Sequence, residues 1–470
     1  MTRPLQIRAL PLRCTAALTA LLVLVPAGLL LRSPRPRAQG LERLLGQAAL
    51  MQSFPASPQR PVPALWSQRL GPALASNVWQ QQRRVWWQFW GRDGDGGAYL
   101  AFPAHTLPPS LTARPASGLS PQGLPPNSLR VDDLVVVAAD SLSQRLLQDQ
   151  LRLAQRQRRG LEQRCLLRLQ QEQAVFWAPL GLGVMAGPMA PLLQRFQEGC
   201  LSLQLDGASL GLTGEASSAS GLLSAPGRPQ PAPPLPPLPA DLLLEWRGPV
   251  LDALLQGLLS RQLIREPLAA RYGIGDGQLA LLRRVPFVLR LRPLAQGPFQ
   301  AGLEVQLRVS GERRPWTQLL DALVPPLEAQ GLAATRTGSA ALPAISWRRE
   351  DGLVVGGWRW VLAASGQPQL LLYLGPEPPL AHTAATLAAP TATIGLPGSA
   401  GATVLRARPK ALARLGLLPP ELPQLVQQAA QLDLVAIHAA SGAGVLGSPL
   451  SQLTGQLQLQ RRPQRLPLDR

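Results

Sequence analysis

Hydrophobic positions recur along this chain with two periods, every second residue in some stretches and every third or fourth in others, and the two predict different elements. "LSLQLDGASLGLTGE" alternates Leu201, Leu203 and Leu205 with polar residues, turns at Asp206-Gly207 and resumes at Leu210 and Leu212, which predicts a β-hairpin. "FVLRLRPLAQGPFQAGLEVQLRVSG" predicts an antiparallel pair. "AISWRREDGLVVGGWRWVLAASGQPQLLLYLG" predicts a three-stranded meander turned at Asp351-Gly352 and at Gly366-Gln367. Shorter apolar runs predict strands at "AYLAF", at Leu134 to Ala139, and at "DLLLEW", "ATVLRARP", "LDLVAIHAA" and "LSQLTGQLQLQRR".

Helical spacing joins Leu142, Leu146, Leu147 and Leu151. Asp140 or Ser141 is placed to cap that helix, Ser141 and Gln144 have the spacing of a capping box, and Gly160 interrupts the pattern. Further helices are predicted in "VLDALLQGLLSRQLI", in "WTQLLDALVPPLEAQG", broken by Pro325-Pro326, and in "KALARLGLLPPELPQLVQQAAQ". Residues 78 to 90 also fit an amphipathic helix: at about 100° per residue, Trp79, Trp86 and Trp90 fall within about 40° of one another, and Trp87, Val85 and Phe89 widen the face. Trp79, Trp86, Trp87, Phe89 and Trp90 are therefore the candidate face, packed on a sheet, lying at the headgroup boundary of a membrane, or lining a ligand or partner groove.

The amino terminus changes the picture. Cys14 to Leu31 is an uncharged run of eighteen residues flanked by Arg3, Arg8 and Arg13 before it and by Arg32, Arg35 and Arg37 after it. It nearly spans a hydrocarbon core of about 30 Å. The expectation is an uncleaved anchor with the bulk of the chain exported, in a periplasm or thylakoid lumen; cleavage at Val25-Pro26-Ala27 is the alternative. The expected fold class is α+β: an N-terminal transmembrane helix followed by antiparallel sheet segments with intervening helices. The expected divisions are an anchor or signal segment at 1–37, a first α+β region at 38–216, a proline-rich linker or insertion at 217–240, and a second α+β region at 241–470.

Charge adds less than its size suggests. The 46 basic residues exceed the 27 acidic ones by 19, but Lys410 is the only lysine, and the arginines are scattered instead of forming a stripe. No nucleic-acid partner is expected. Cys165 and Cys200 are free to pair in an oxidising compartment, though nothing in their spacing requires it. His105, His382 and His438 are far apart and outside any metal-binding spacing, so no metal and no cofactor are expected. "GRDGDGG" lacks the later ligands of a calcium loop, and "RYGIGDGQ" spaces Gly273, Gly275 and Gly277 unlike a phosphate loop. Gly207 to Gly211 reads GxSxG, but a strand follows Ser209 where a nucleophile elbow needs a helix.

"RYGIGDG", "GGWRW" and "ALARLGLLPPELP", taken with the terminal apolar run, give the chain a style that resembles uncharacterised single-pass, membrane-anchored proteins of unicellular cyanobacteria. The resemblance implies a membrane compartment and supplies no catalytic residues. The resulting expectation is a membrane-tethered, non-enzymatic protein of the cell envelope. Its partners would be membrane lipid at the N-terminal helix and a protein or an apolar or lipid ligand elsewhere. The competing expectation is an envelope serine hydrolase using Ser209 with His382 or His438.

Overall fold

A computed structural model describes residues 38–92, 97–108, 125–153, 160–218, 235, 237–283, 285–295, 298–309, 312–363, 366–379, 399–418, 422, 424–439 and 450–459. The strands are β1 (Ala48–Pro55), β2 (Val85–Gly91), β3 (Tyr99–Pro103), β4 (Ser128–Val131), β5 (Leu134–Val137), β6 (Ala174–Trp177), β7 (Glu198–Asp206), β8 (Ser209–Ser217) and β9 (Leu244–Gly248). They continue with β10 (Phe287–Pro293), β11 (Ala301–Arg308), β12 (Ala333–Gly338), β13 (Pro343–Arg348), β14 (Val354–Leu362), β15 (Pro368–Leu374), β16 (Ser399–Ala407), β17 (Gln431–Ala439) and β18 (Leu450–Gln458). All eighteen belong to one sheet. Every pairing is antiparallel, in the order β4-β5-β3-β2-β1-β6-β7-β8-β18-β17-β16-β9-β10-β11-β15-β14-β13-β12.

The expected fold class is corrected accordingly. The strands do not form separate sheet segments behind a transmembrane helix. They make one continuous sheet, because β18 pairs with β8 and β16 pairs with β9, so that the C-terminal strands join the first half of the chain to the second. Cross-strand pairing of this kind is set by residues more than 150 positions apart, which periodicity within a window does not report. Among the described residues no helix is long and apolar enough to cross a membrane, and residues 1–37 lie outside them.

The helices are α1 (Leu41–Leu45), α2 (Ala64–Leu70), α3 (Pro72–Gln81), α4 (Ser141–Leu153), α5 (Leu161–Gln171), α6 (Pro179–Ala186), α7 (Asp252–Leu259), α8 (Gln262–Tyr272), α9 (Asp276–Arg283), α10 (Arg314–Ala322), α11 (Val324–Glu328), α12 (Pro409–Arg414) and α13 (Gln424–Gln427), with a 3₁₀ segment at Gly187–Phe196. A strand, its helical segments and the hairpin that follows recur four times: β1 to β3, β6 to β8, β9 to β11 and β16 to β18. In each, the leading strand pairs with the first strand of the hairpin.

In the first half both faces of the sheet are covered. α1, α4 and α5 pack on Met51, Val85, Trp87, Phe89 and Tyr99, while α2 and α3 pack on Trp86, Leu100 and Phe102. This double coverage explains the tryptophan segment and corrects its predicted helix. Of residues 78–90 only 78–81 belong to a helix, the end of α3; residues 85–91 are strand β2. A strand sandwiched between two helix layers is apolar at consecutive positions, and the same run of indoles also satisfies a helical period. Beyond β8 the described helices follow one face: α6 and the 3₁₀ segment, then α7, α9, α10 and α11, continue along the face that carries Trp86, while buried side chains such as Val404 and Arg406 lie on the other.

Candidate binding site

Cross-strand rows on the helix-covered face of β9, β10, β11, β15 and β14 differ sharply in how well they are covered. The row Phe287, Leu307, Leu370 and Trp360 is sealed, none of its members more than 3% exposed. The next row runs Trp246, Leu289, Val305, Leu372 and Trp358. Its two tryptophans are buried, yet the three aliphatic residues between them are only half-buried. In the third row Leu244, Leu291 and Leu303 are half-buried and Leu374 is 63% exposed. Burial of this face therefore falls off towards Leu374, and the incompletely covered rows make the floor of a candidate apolar trough.

The helix side of the same core behaves the same way. Leu255 of α7, Leu281 and Leu282 of α9, and Leu327 of α11 face this core but are only partly buried. Among the described residues, this core has more partly buried apolar members than fully buried ones, whereas the core under α1, α4 and α5 has two, Leu129 and Leu166. α8 has no buried residue. Apolar surface left half-covered on both walls of a cleft is the ordinary chemistry of a site for an apolar ligand.

The back of the same strands is charged. A row of residues alternates in sign across five strands: Asp433, Arg406, Glu245, Arg290 and Glu304. Arg406 Nε donates to Asp433 at 3.0 Å, Arg290 Nη1 donates to Gln306 at 3.1 Å and Arg292 Nε donates to Glu304 at 2.9 Å, while Arg247 pairs with Glu245. Burial raises the Glu245 pKa, but Arg247, Arg290 and Arg406 together outweigh it and hold the carboxyl below its ordinary value. Burial likewise lowers Arg290 against the pull of Glu245 and Glu304. Tyr373, at the end of the row, is pushed up to about 12 by burial and then by Glu377; its hydroxyl lies over Gly357, where a Cβ would sit 2.4 Å away. A one-residue slip between any two of these strands would put an arginine in the apolar core, so the ladder fixes the register that aligns the trough floor.

The residues singled out in the sequence go elsewhere. Trp79, Trp86, Trp87 and Phe89 are buried and Trp90 is half-buried, all in the first half. Trp86 stacks on Phe54 at 4.5 Å and meets Trp66 and Trp79 edge-on, whereas Trp87 donates from Nε1 to Leu169 O at 2.8 Å on the other face. The two faces of β2 thus separate the predicted cluster. Trp358 and Trp360 do share a strand face, with Arg359 turned the other way to Glu377 and Pro378. Trp246, Leu289, Val305 and Leu372 were not singled out; their signal lies in the alternation of "EWR", "VLRLR", "EVQLR" and "LLLY", in which only the pairing order brings them into one row.

Ser209 and the histidines do not converge. Ser209 opens β8 after the turn at Gly207-Ala208, in register with Gln458, which pairs with Gln431. His438 is seven residues further along β17, about 23 Å away at roughly 3.3 Å per residue. Its ring lies 2.9 Å from Thr403 Oγ1 and 2.9 Å from Ser451 Oγ, and burial, helped by Arg195, pushes its pKa down to about 4. His105 is exposed on a 3₁₀ turn, and His382 lies outside the described residues. Gly273 is the left-handed cap of α8, with φ of 64°, and Asp276 of the same loop pairs with Arg265 at 2.6 Å. Residues 93–96 of the acidic glycine turn are outside the described residues. Among the described residues no group of three or more His, Cys, Asp or Glu side chains is placed to hold a metal ion.

No protein-family model matches the chain, and neither a curated protein nor a solved structure is similar to it.

Proposed function

We propose that this chain is a non-enzymatic binding protein for an apolar, lipid-like ligand, held at an envelope membrane by the apolar run Cys14 to Leu31. The observation that carries the reading is the half-buried row Leu289, Val305 and Leu372, enclosed between buried tryptophans and backed by a register-fixing charge ladder. Three aliphatic side chains on such a floor gain on the order of 0.5 to 1.5 kcal/mol each when a ligand removes their remaining surface from water.

The test is lipid extraction and mass spectrometry of the full chain purified from its native membrane, combined with titration of an uncharged acyl-chain fluorophore. A saturable site is expected, lost in Val305→Asp while the denaturant midpoint shows that the variant still folds. Absence of saturable binding by the folded wild-type chain rejects the reading. Recovery of the intact chain in the soluble fraction, residues 1–37 included, rejects the membrane tether alone.

A further inference from the structure

Three leucines that α4 turns away from the first core line up on its outer face. At about 100° per residue, Leu142, Leu146 and Leu153 fall within about 40° of one another, and they are 67%, 41% and 88% exposed. Leu147 and Leu151, on the other side of the helix, belong to the core. Leu167 of α5, in the same helix layer, is 60% exposed. Among the described residues no other helix exposes more than two large apolar side chains. Arg145 and Arg152 line one flank of the stripe, and Asp149 lies within it, paired to Arg152 at 3.3 Å. An outer helix face of this kind matches the interfacial zone of a bilayer, where leucines enter the acyl boundary and guanidinium groups reach the phosphates.

The path of the chain brings a bilayer close to that stripe. Six residues, 32–37, separate Leu31 from Ala38, so Ala38 is at most about 25 Å from the end of the apolar run. Ala38 is buried, Gly40 N donates to Asp132 Oδ2 at 2.6 Å in the β4–β5 turn, and Arg43 Nη2 donates to Leu151 O of α4 at 3.0 Å. The chain therefore enters the fold against α4, on the side of the sheet that α1, α4 and α5 cover. Leu180 and Val184 of α6, each 45% exposed, are on the opposite side. Resting on the membrane tether proposed above, and not on the apolar trough, we propose that α4 lies on the bilayer that the tether enters. Leu142, Leu146 and Leu153 sit in the acyl boundary and Arg145 and Arg152 at the lipid phosphates, so that the first half of the sheet turns its Trp87 face to the membrane.

The test uses the full-length chain with Cys14→Ala, in which an introduced cysteine is free to be labelled while Cys165 and Cys200 stay bonded to each other. It is reconstituted in vesicles of phosphatidylcholine and phosphatidylglycerol with a nitroxide at Leu146→Cys or at Val184→Cys. At 146 the nitroxide is expected to keep its collisions with oxygen and to lose most of those with a water-soluble nickel chelate; at 184 it stays open to both. Adding Leu142→Gln and Leu153→Gln restores chelate access at 146 while the chain still sediments with the vesicles. All these side chains are exposed, so the thermal midpoints of the variants should stay at the wild-type value. A nitroxide at 146 as open to the chelate as at 184, one at 184 hidden instead, or dipolar broadening at 146 from a second copy overturns the proposal, while sedimentation leaves the tether standing. A chain that does not sediment with the vesicles removes the tether, and the proposal with it.

Discussion

Cys165 of α5 and Cys200 of β7 form a disulfide in the interior of the first core, closing 35 residues of chain that include β6, α6 and the 3₁₀ segment. Chain-entropy arguments assign a loop of that length about 3 to 4 kcal/mol of stabilisation through the unfolded state. Cys165→Ala combined with Cys200→Ala should lower the unfolding free energy by that amount and the denaturant midpoint with it, and a reductant should do the same to the wild-type chain only after unfolding exposes the bridge. An unchanged midpoint in the double variant would show that the two sulfurs are not joined in solution.

His438 makes stability depend on pH. Its folded pKa of about 4 lies below the ordinary 6.5, so between those values the unfolded chain binds more protons than the folded one. Stability then rises with pH across that window: it is full above about 6.5 and lost progressively as pH falls towards 4, by about 3 kcal/mol in total. His438→Asn can keep hydrogen bonds to Thr403 and Ser451 without titrating. Thermal unfolding of that variant should show a flatter profile between pH 6.5 and 4 than the wild type; parallel profiles would remove His438 as the cause.

Glu245 is the negative centre of the charge ladder, facing Arg247, Arg290 and Arg406. Glu245→Gln keeps the shape and leaves buried guanidinium groups under-compensated, so a loss of about 3 kcal/mol or more is expected from urea unfolding. Replacing the buried set together, with Arg290→Met, Arg406→Met and Glu245→Leu, should recover much of that loss while loosening register. A recovered stability with unchanged strand register, read from backbone amide exchange, would argue that the ladder does not specify pairing.

Much of the local structure was legible. The hairpin at 201–212, the meander at 344–374 and the break at Gly160 depend on alternation and on glycines with positive φ at Gly160, Gly207, Gly352 and Gly366, which a short window contains. Asp140 does cap α4, its carboxylate accepting from Ser143 N at 2.8 Å, although Gln144 reaches Ser128 O instead of closing a capping box with Ser141. What the sequence did not show is which strands are neighbours. β1 and β6 carry weak patterns and were missed, yet they sit at the centre of the first half. The trough shares this difficulty: Trp246 and Trp358 are 112 positions apart and become one site only through β10, β11 and β15.

The tryptophan segment gives the sharpest contrast between a helical and a strand reading, and Trp87 separates them. On a helix its indole would lie beside Trp86, both facing one apolar surface. On β2 it points away from Trp86 into the first core, where its N–H donates to Leu169 O of α5. Trp87→Phe should therefore cost about 1 to 3 kcal/mol, because Leu169 O loses its indole donor, and Trp87→Ala about 3 to 5 kcal/mol, as a buried aromatic is deleted. The same pair of substitutions at Trp86 should differ in kind. Trp86→Phe retains the stack on Phe54 and loses no donated hydrogen bond, so its cost should fall below that of Trp87→Phe. Urea unfolding of the four variants, repeated with anionic vesicles, checks this. Costs that change with vesicles, or equal costs for the two phenylalanine variants, would return the segment to a surface helix.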